Sequence, residues 1–242
     1  MLKNKTVLIT GANGDIGRSL VEAFEKKNAK IICLIKKKNK EFFNFTKKKK
    51  NIKFIVSDLS NETKLSNEIN KFFSKNKNLD ILINNAGKAS GSIIEMTSQK
   101  NLKEIFDINF FSQIKITQLL LKYLKISKNA SIINIGSIAS EIPDRGTLAY
   151  GCSKLAFMHA TKIMANEFSN YKIRVNGINP NVTNSKMSKQ MDILAKEKLI
   201  KNSYLKRACE PREIAELAIF LSSKKSTYIN GQIININGGM NW

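Results

Sequence analysis

Short apolar runs alternate with longer stretches of helical spacing along the whole chain. Thr6-Val7-Leu8-Ile9 reads as a short buried strand closed by Thr10-Gly11, and Ile31-Ile32-Cys33-Leu34-Ile35 reads as a second. Lys53-Phe54-Ile55-Val56, Ile81-Leu82-Ile83, Ser131 to Ile135, Arg174 to Ile178 and Ile233 to Ile236 complete a set of seven strands. Between them, Arg18 to Lys27 carries Leu20, Val21 and Phe24 at helical spacing, and 61–75, 98–124, 150–170 and 211–222 read as further helices. Strands alternating with helices predict a parallel sheet covered on both faces. Right-handed crossovers then give a doubly wound α/β fold, one domain over residues 1–242. The chain has no internal repeat and no linker that would divide it. Lys36 to Lys50 could pass for low complexity, but Phe42, Phe43 and Phe45 inside it predict a short packed helix.

Composition changes this picture little. The 242 residues, 42% of them apolar, suit one larger α/β domain with ample core. No apolar run reaches the ~20 residues needed to span a membrane. Met1 to Thr6 leads directly into a strand, so neither a signal nor a transit peptide is expected. Cys33, Cys152 and Cys209 are widely spaced and lack metal-ligand spacing, which argues for reduced thiols in a cytoplasmic protein and for no metal site. The formal charge of +22 invites a nucleic-acid reading. Only Arg18, Arg145, Arg174, Arg207 and Arg212 are arginines, however. An excess of Lys alongside Asn and Ile points to coding bias, since bidentate phosphate or base recognition favours Arg. No nucleic-acid partner is expected, although the surface suits acidic partners.

Three groups of residues carry candidate chemistry. Thr10-Gly11-Ala12-Asn13-Gly14-Asp15-Ile16-Gly17 follows the first strand and opens the first helix, the context a dinucleotide fingerprint requires. Glycines let the backbone turn sharply and let a pyrophosphate approach the helix N-terminus, and Gly17 permits close helix packing. Asp15 would repel a pyrophosphate unless it points away, and it is expected to cap the helix. After the second strand comes Lys36-Lys37-Lys38 in place of the acid that usually accepts from the adenosine ribose of NAD. NADP(H) is therefore the expected cofactor, with NAD(H) as the alternative. Asp58, after the third strand, either meets the adenine amino group or caps the helix beginning near Ser60. The third group is Tyr150-Gly151-Cys152-Ser153-Lys154, with Ser137 thirteen residues upstream. Tyr and Lys four apart share a helix face. A phenol has an ordinary pKa of about 10, and a nearby ammonium pulls it toward working pH. Alone, such a pair occurs by chance in many helices.

Together these residues resemble the short-chain dehydrogenase/reductase family, over essentially the whole chain. In order, the resemblance rests on Thr10 to Gly17, Asp58, Asn84-Asn85-Ala86-Gly87, Asn109, Ser137, Tyr150 and Lys154. It continues through Asn179-Pro180, Glu210-Pro211-Arg212-Glu213-Ile214-Ala215 and Asn237-Gly238-Gly239. Within the family the chain looks most like the 3-oxoacyl-[acyl-carrier-protein] reductases and their relatives. The resemblance implies a Rossmann fold and ketone/alcohol redox chemistry with four catalytic residues. Tyr150 would be the acid/base, Lys154 would lower its pKa and hold the nicotinamide ribose, Ser137 would bind the substrate oxygen, and Asn109 would hold a relay water. Gly11, Asn13, Gly14, Asp15, Ile16, Gly17, Lys36, Asp58, Leu59, Asn85, Ala86, Gly87, Pro180, Val182 and Ser185, with Tyr150 and Lys154, would line the cofactor. Ile178-Asn179-Pro180 would flank the nicotinamide.

Several positions depart from the family pattern. Asp15 stands where a glycine is usual, Asn181 follows Pro180 in place of Gly, and Ser185 replaces a Thr. Asn tolerates the left-handed region, so the turn at Asn181 can survive. Residues 182–207 form the expected substrate lid, where Met187, Met191, Leu194 and Leu199 suggest either an apolar cover or a helix core. A 3-oxoacyl thioester and a sugar or polyol derivative both remain open as small-molecule substrates. An acyl carrier protein is a candidate partner, with Lys128 matching one docking position and Tyr171 falling at a second. The resemblance implies a homotetramer through 98–124 and 150–170, with a further contact near Trp242. His159 is read as a packing or interface residue. A protein that binds nucleotide without turnover is the competing class; loss of a catalytic residue would mark it, and all four are present.

Overall fold

The computed structural model describes residues 2–75 and 77–240; Trp242 lies outside the described residues. Seven strands form one parallel sheet: β1 (Thr6–Thr10), β2 (Lys30–Ile35), β3 (Ile52–Val56), β4 (Ile81–Asn84), β5 (Ser131–Ile135), β6 (Arg174–Pro180) and β7 (Ile233–Ile236). Their spatial order is β3-β2-β1-β4-β5-β6-β7. Register is continuous, with Val7 opposite Ile31 and Ile81, and Ile133 opposite Ile83 and Asn176. All seven expected strands are present.

The helices are α1 (Asp15–Lys26), α2 (Lys40–Thr46), α3 (Glu62–Phe73), α4 (Gln99–Phe106), α5 (Ser112–Leu124), α6 (Leu148–Glu167), α7 (Ile193–Lys201) and α8 (Pro211–Leu221). Strand alternation sorts the core into two layers. Val7, Ile9, Ile31, Cys33, Ile83 and Ile135 pack against Leu20 and Phe24 of α1 and Ile214 and Ala218 of α8. Leu8, Ile32, Leu34, Leu82, Ile132 and Val175 face α3, α5 and α6 through Ile69, Phe73, Leu120, Phe157 and Met158. Both sheet faces are thus covered, which is why the strands read as unbroken apolar runs. The Lys-rich segment folds as expected: Asn39 caps α2 by accepting from Phe42 N, and Phe42 is buried.

The stretch 98–124 is not one helix. Between α4 and α5, residues Asp107–Phe111 form a π-turn. The wider turn holds Asn109 fully buried, where its amide serves partners outside the helix. α1 starts three residues before the expected Arg18, and α6 two residues before Tyr150. Asp58 does not cap α3, because Asn61 takes that position and accepts from Lys64 N. The helix-core alternative for the 182–207 segment fails: α7 buries none of its residues, and Leu194 is 75% exposed.

Candidate active site

Strand order reverses between β1 and β4, so their C-terminal ends open a crevice, the usual ligand site of such sheets. Two loops meet there. Thr10 Oγ1 accepts from the N–H groups of Asn85 and Ala86, each at 2.9 Å, and Asn85 Nδ2 donates to the carbonyls of Thr10 and Gly11. Gly11 has φ +62°, and a Cβ there would sit 2.9 Å from Ala86 Cα, so the approach of the loops requires glycine. Gly17 is equally constrained: its Cβ would fall 2.2 Å from Gly11 O. Gly14 differs. A Cβ there would meet only Gly11 O, at 3.5 Å. Gly14 is also the N-cap of α1 and gives it no side-chain cap. The chain's own packing leaves room at Gly14 and leaves first-turn N–H groups for an anion, so the turn fits a dinucleotide diphosphate.

Asp15 does not cap the helix. It is the first helical residue, and its Oδ2 accepts from Lys186 N at 2.5 Å. This contact ties the segment after β6 to the glycine turn, and it places Ser185 beside it in sequence. The Ser185 hydroxyl accepts from Ser188 N within a local turn. Asn13 Nδ2 donates to Lys37 O, and Ile16 packs on the core. Lys36 is exposed and pairs with Asp58 at 2.8 Å. That hydrogen bond raises the Lys36 pKa and lowers that of Asp58. Leu59 O accepts from Ser112 Oγ, which fastens this loop to α5. Pro180 ends β6 and Val182 is buried. Asn181 lies outside the left-handed region, so the expected turn tolerance is not needed; its amide instead donates to Asn237 O.

The third group gathers at the ends of β5 and α6. Ser137 follows β5 by two residues, and its hydroxyl lies near the Tyr150 phenol, whose pKa it lowers. Lys154 is buried, donates from Nζ to Ile135 O at 2.8 Å, and lies 6.0 Å from the Tyr150 ring centroid. Burial pushes the Lys154 pKa down to about 8. Burial also raises the Tyr150 phenol, while the Ser137 bond lowers it. The lowering by Lys154 expected for Tyr150 is absent in the protein alone, where the amine is directed at the Ile135 carbonyl and burial leaves the phenol raised. Gly87 lies between these groups: a Cβ there would be 3.2 Å from Asn109 Oδ1 and 3.4 Å from Lys154 Nζ. Asn109 Oδ1 accepts from Lys88 N, and its Nδ2 donates to Lys88 O and Ser153 Oγ.

The family-model and structural comparisons fit this geometry. A family model described as enoyl-(acyl carrier protein) reductase matches residues 11–241. The chain is a short-chain dehydrogenase/reductase. It is accordingly an NAD(P)-dependent oxidoreductase acting on a carbonyl or alcohol group. It is 29% identical over 245 residues to the 3-oxoacyl-[acyl-carrier-protein] reductase of Buchnera aphidicola, covering 99% of this chain and 98% of that one. It is 30% identical over 239 residues, with the same coverage, to the reductase of that name from Rickettsia prowazekii. Among solved structures, ligand-free aldohexose dehydrogenase from Thermoplasma acidophilum superposes with TM-score 0.86 at 25% identity, over 98% of this chain and 94% of that one. The 3-ketoacyl-(acyl-carrier-protein) reductase of Brucella melitensis, complexed with NADH, shares the fold with TM-score 0.90 at 23% identity, over 99% of each chain.

Sequence reasoning missed several members of this dehydrogenase/reductase site. Gln113 anchors the Asn85–Gly87 loop by donating from Nε2 to Ala86 O, beside Thr10, whose place in the glycine motif was read but whose bonds to Asn85 and Ala86 were not. Gln113 lies four residues after Asn109, and two large amides at that spacing inside an apolar helix are a readable signal. The Asn179 side chain turns toward the end of β5, where its Oδ1 accepts from Ser137 N, a contact its position beside Pro180 did not signal.

Proposed function

We propose that this reductase interconverts a ketone and a secondary alcohol with NADP(H), using Tyr150 as acid/base. The observation that carries the reading is the cluster of Ser137, Tyr150 and buried Lys154, set beside the glycine turn at the crevice. When bound, the cofactor would supply a hydride for the carbonyl carbon in the reductive direction. Ser137 and Tyr150 hold the carbonyl oxygen, and the phenol gives its proton to the developing alkoxide, so carbonyl, hydride and proton balance to the alcohol. Lys154, whose burial brings its pKa to about 8, exchanges protons near neutral pH and re-protonates the phenolate. Asn109, fixed by the Lys88 backbone, orients a water on that path.

Lys36 supports the NADP(H) preference, because the β2 end offers an ammonium, paired with Asp58, where a 2′-phosphate would arrive. The substrate reading is a 3-oxoacyl thioester delivered by an acyl carrier protein. The mouth supports it: Ile94, Met96, Ile193 and Leu194 are each more than 70% exposed. The 91–97 loop and α7 both reach the 144–147 loop, through Ser92 N to Gly146 O and Lys198 to Asp144. In this reading residues 182–207 form the lid over that apolar mouth. Lys128 and the Lys125 ammonium, 3.5 Å from the Tyr171 ring centroid, offer a basic docking surface. A homotetramer would cover Phe111 at the end of the π-turn and the stripe of Leu155, His159 and Ile163 on α6, which are exposed in the single chain.

The test is NADPH and NADH oxidation against acetoacetyl thioester, a diketone and several keto-sugars, with Tyr150→Phe beside it. Turnover of the thioester with NADPH that vanishes in the variant is the expected result. A keto-sugar as best substrate would replace the acyl reading. Nucleotide binding without turnover across the panel would refute the proposed reaction.

A further inference from the structure

Ser137 stands in extended backbone at φ −167° and ψ 151°, and both of its backbone polar groups are gripped from outside β5. Its N–H donates to Asn179 Oδ1 at 3.1 Å, and its carbonyl accepts from Ser140 Oγ at 2.7 Å. Asn179 Nδ2 donates in turn to Ser140 Oγ at 3.0 Å and to Glu141 Oε1 at 2.9 Å. The other Glu141 oxygen accepts from Asn235 Nδ2 of β7 at 2.8 Å. The network therefore runs from the exposed rim, through one fully buried amide, to the backbone of Ser137.

A buried amide costs free energy unless its donors and acceptor are met. Here both amide hydrogens and the oxygen have partners. The chain also makes space for it: a Cβ at Gly136 would fall 2.1 Å from Asn179 Oδ1. A fully satisfied polar network holds one geometry more tightly than apolar packing does. We propose that Asn179, braced by Glu141 and Asn235, is a positioning residue that sets the Ser137 hydroxyl against the Tyr150 phenol. The proposal rests on the reading of Ser137 and Tyr150 as the pair that meets the substrate oxygen. Without the Asn179 amide, Ser137 N–H loses its acceptor and Ser140 Oγ loses a donor, so the serine is held only from the turn that follows it, by Ala139 N to its Oγ at 3.2 Å and by Ser140 N and Oγ to its carbonyl.

The test uses the full chain labelled with ¹³Cζ-tyrosine, in which the Tyr150 resonance, assigned with Tyr150→Phe, reports the phenol's hydrogen bond. Ser137→Ala supplies the position of that resonance when the bond is gone. Asn179→Ala is expected to move it toward the Ser137→Ala position and to lower kcat about tenfold, the worth of roughly one hydrogen bond, with nucleotide KM unchanged. Glu141→Ala, made on the exposed rim where folding is not at stake, is expected to move it the same way by less. Glu141→Gln is expected to restore it, because its amide oxygen still accepts from Asn179. A resonance that stays at the wild-type position in the folded Asn179→Ala and Glu141→Ala variants overturns the proposal, even if kcat falls. The spectrum needs no turnover, so a wild-type protein inert toward every ketone counts against the proposed reaction alone.

Discussion

Gly14 and Gly17 stand three residues apart in one turn, and a methyl group added to each is expected to fail in opposite ways. At Gly17 the new Cβ lies 2.2 Å from Gly11 O and 2.8 and 2.9 Å from Ala12 Cα and C, all of them backbone atoms. No side chain can swing aside, so α1 must retreat by about 1 Å from the turn and from α8, against which it packs. Overpacking of this kind costs about 1–3 kcal/mol, and the upper end applies because the clash is with backbone. In a chain of this size that lowers Tm by on the order of 5–10 °C. At Gly14 the Cβ meets only Gly11 O at ordinary contact distance, and φ −78° with ψ 172° is open to any residue. Alanine at this N-cap costs roughly 0.5–1 kcal/mol, because glycine is preferred to alanine there, a Tm change of about 1–4 °C. Its methyl group nevertheless enters the space through which a diphosphate must approach α1. Gly14→Ala is therefore expected to fold like wild type and lose at least about tenfold in NADPH affinity. Thermal melts followed by circular dichroism and NADPH fluorescence titrations measure the two quantities separately. Wild-type affinity in Gly14→Ala, or a wild-type melting curve in Gly17→Ala, would refute the reasoning.

Three further outcomes are expected. Lys154 carries a pKa lowered from 10.5 to about 8 by burial, so the folded protein bears the cost of a buried ammonium below pH 8. The unfolded chain holds more protons between the two values, so wild-type stability should rise relative to Lys154→Met from about pH 8 toward pH 10, by about 2–3 kcal/mol in all. Denaturant melts of both proteins at several pH values measure it, and a constant difference would contradict the burial argument. Asp15→Gly should speed hydrogen exchange at the Lys186 amide and at its neighbours, while Asp15→Asn, which keeps an acceptor oxygen, should preserve protection. Equal exchange in all three proteins would mean that the contact does not hold the segment. Lys36→Ala should weaken NADPH binding by about tenfold and leave NADH binding nearly unchanged, as measured by parallel fluorescence titrations. An equal loss for both nucleotides would argue against a 2′-phosphate at Lys36.

The sheet and the main candidates were legible in the residues alone. Seven mainly apolar runs marked the strands because a parallel sheet is buried on both faces, where polar side chains such as Asn84, Asn134 and Asn176 are held only by hydrogen bonds. Thr10 to Gly17 was legible because Gly11 and Gly17 are required by backbone approaches that no other residue can make. Tyr150 and Lys154 were legible because i, i+4 spacing puts them on one face regardless of what surrounds the helix. The rest depended on the fold, because long-range partners overrode local preference. Asp15 had every local reason to cap α1, yet its acceptor is engaged by Lys186, 171 residues away in sequence. The stretch 98–124 has an unbroken helical pattern, but Asn109 bonds the Lys88 backbone and Ser153 from within the π-turn that divides it. The Tyr150 phenol, drawn down by a neighbouring ammonium on spacing alone, is instead pushed up, because spacing says nothing of how much water burial removes. Asn179 read as a cleft residue beside Pro180, but its contact with Ser137 exists only because the sheet sets β5 and β6 side by side.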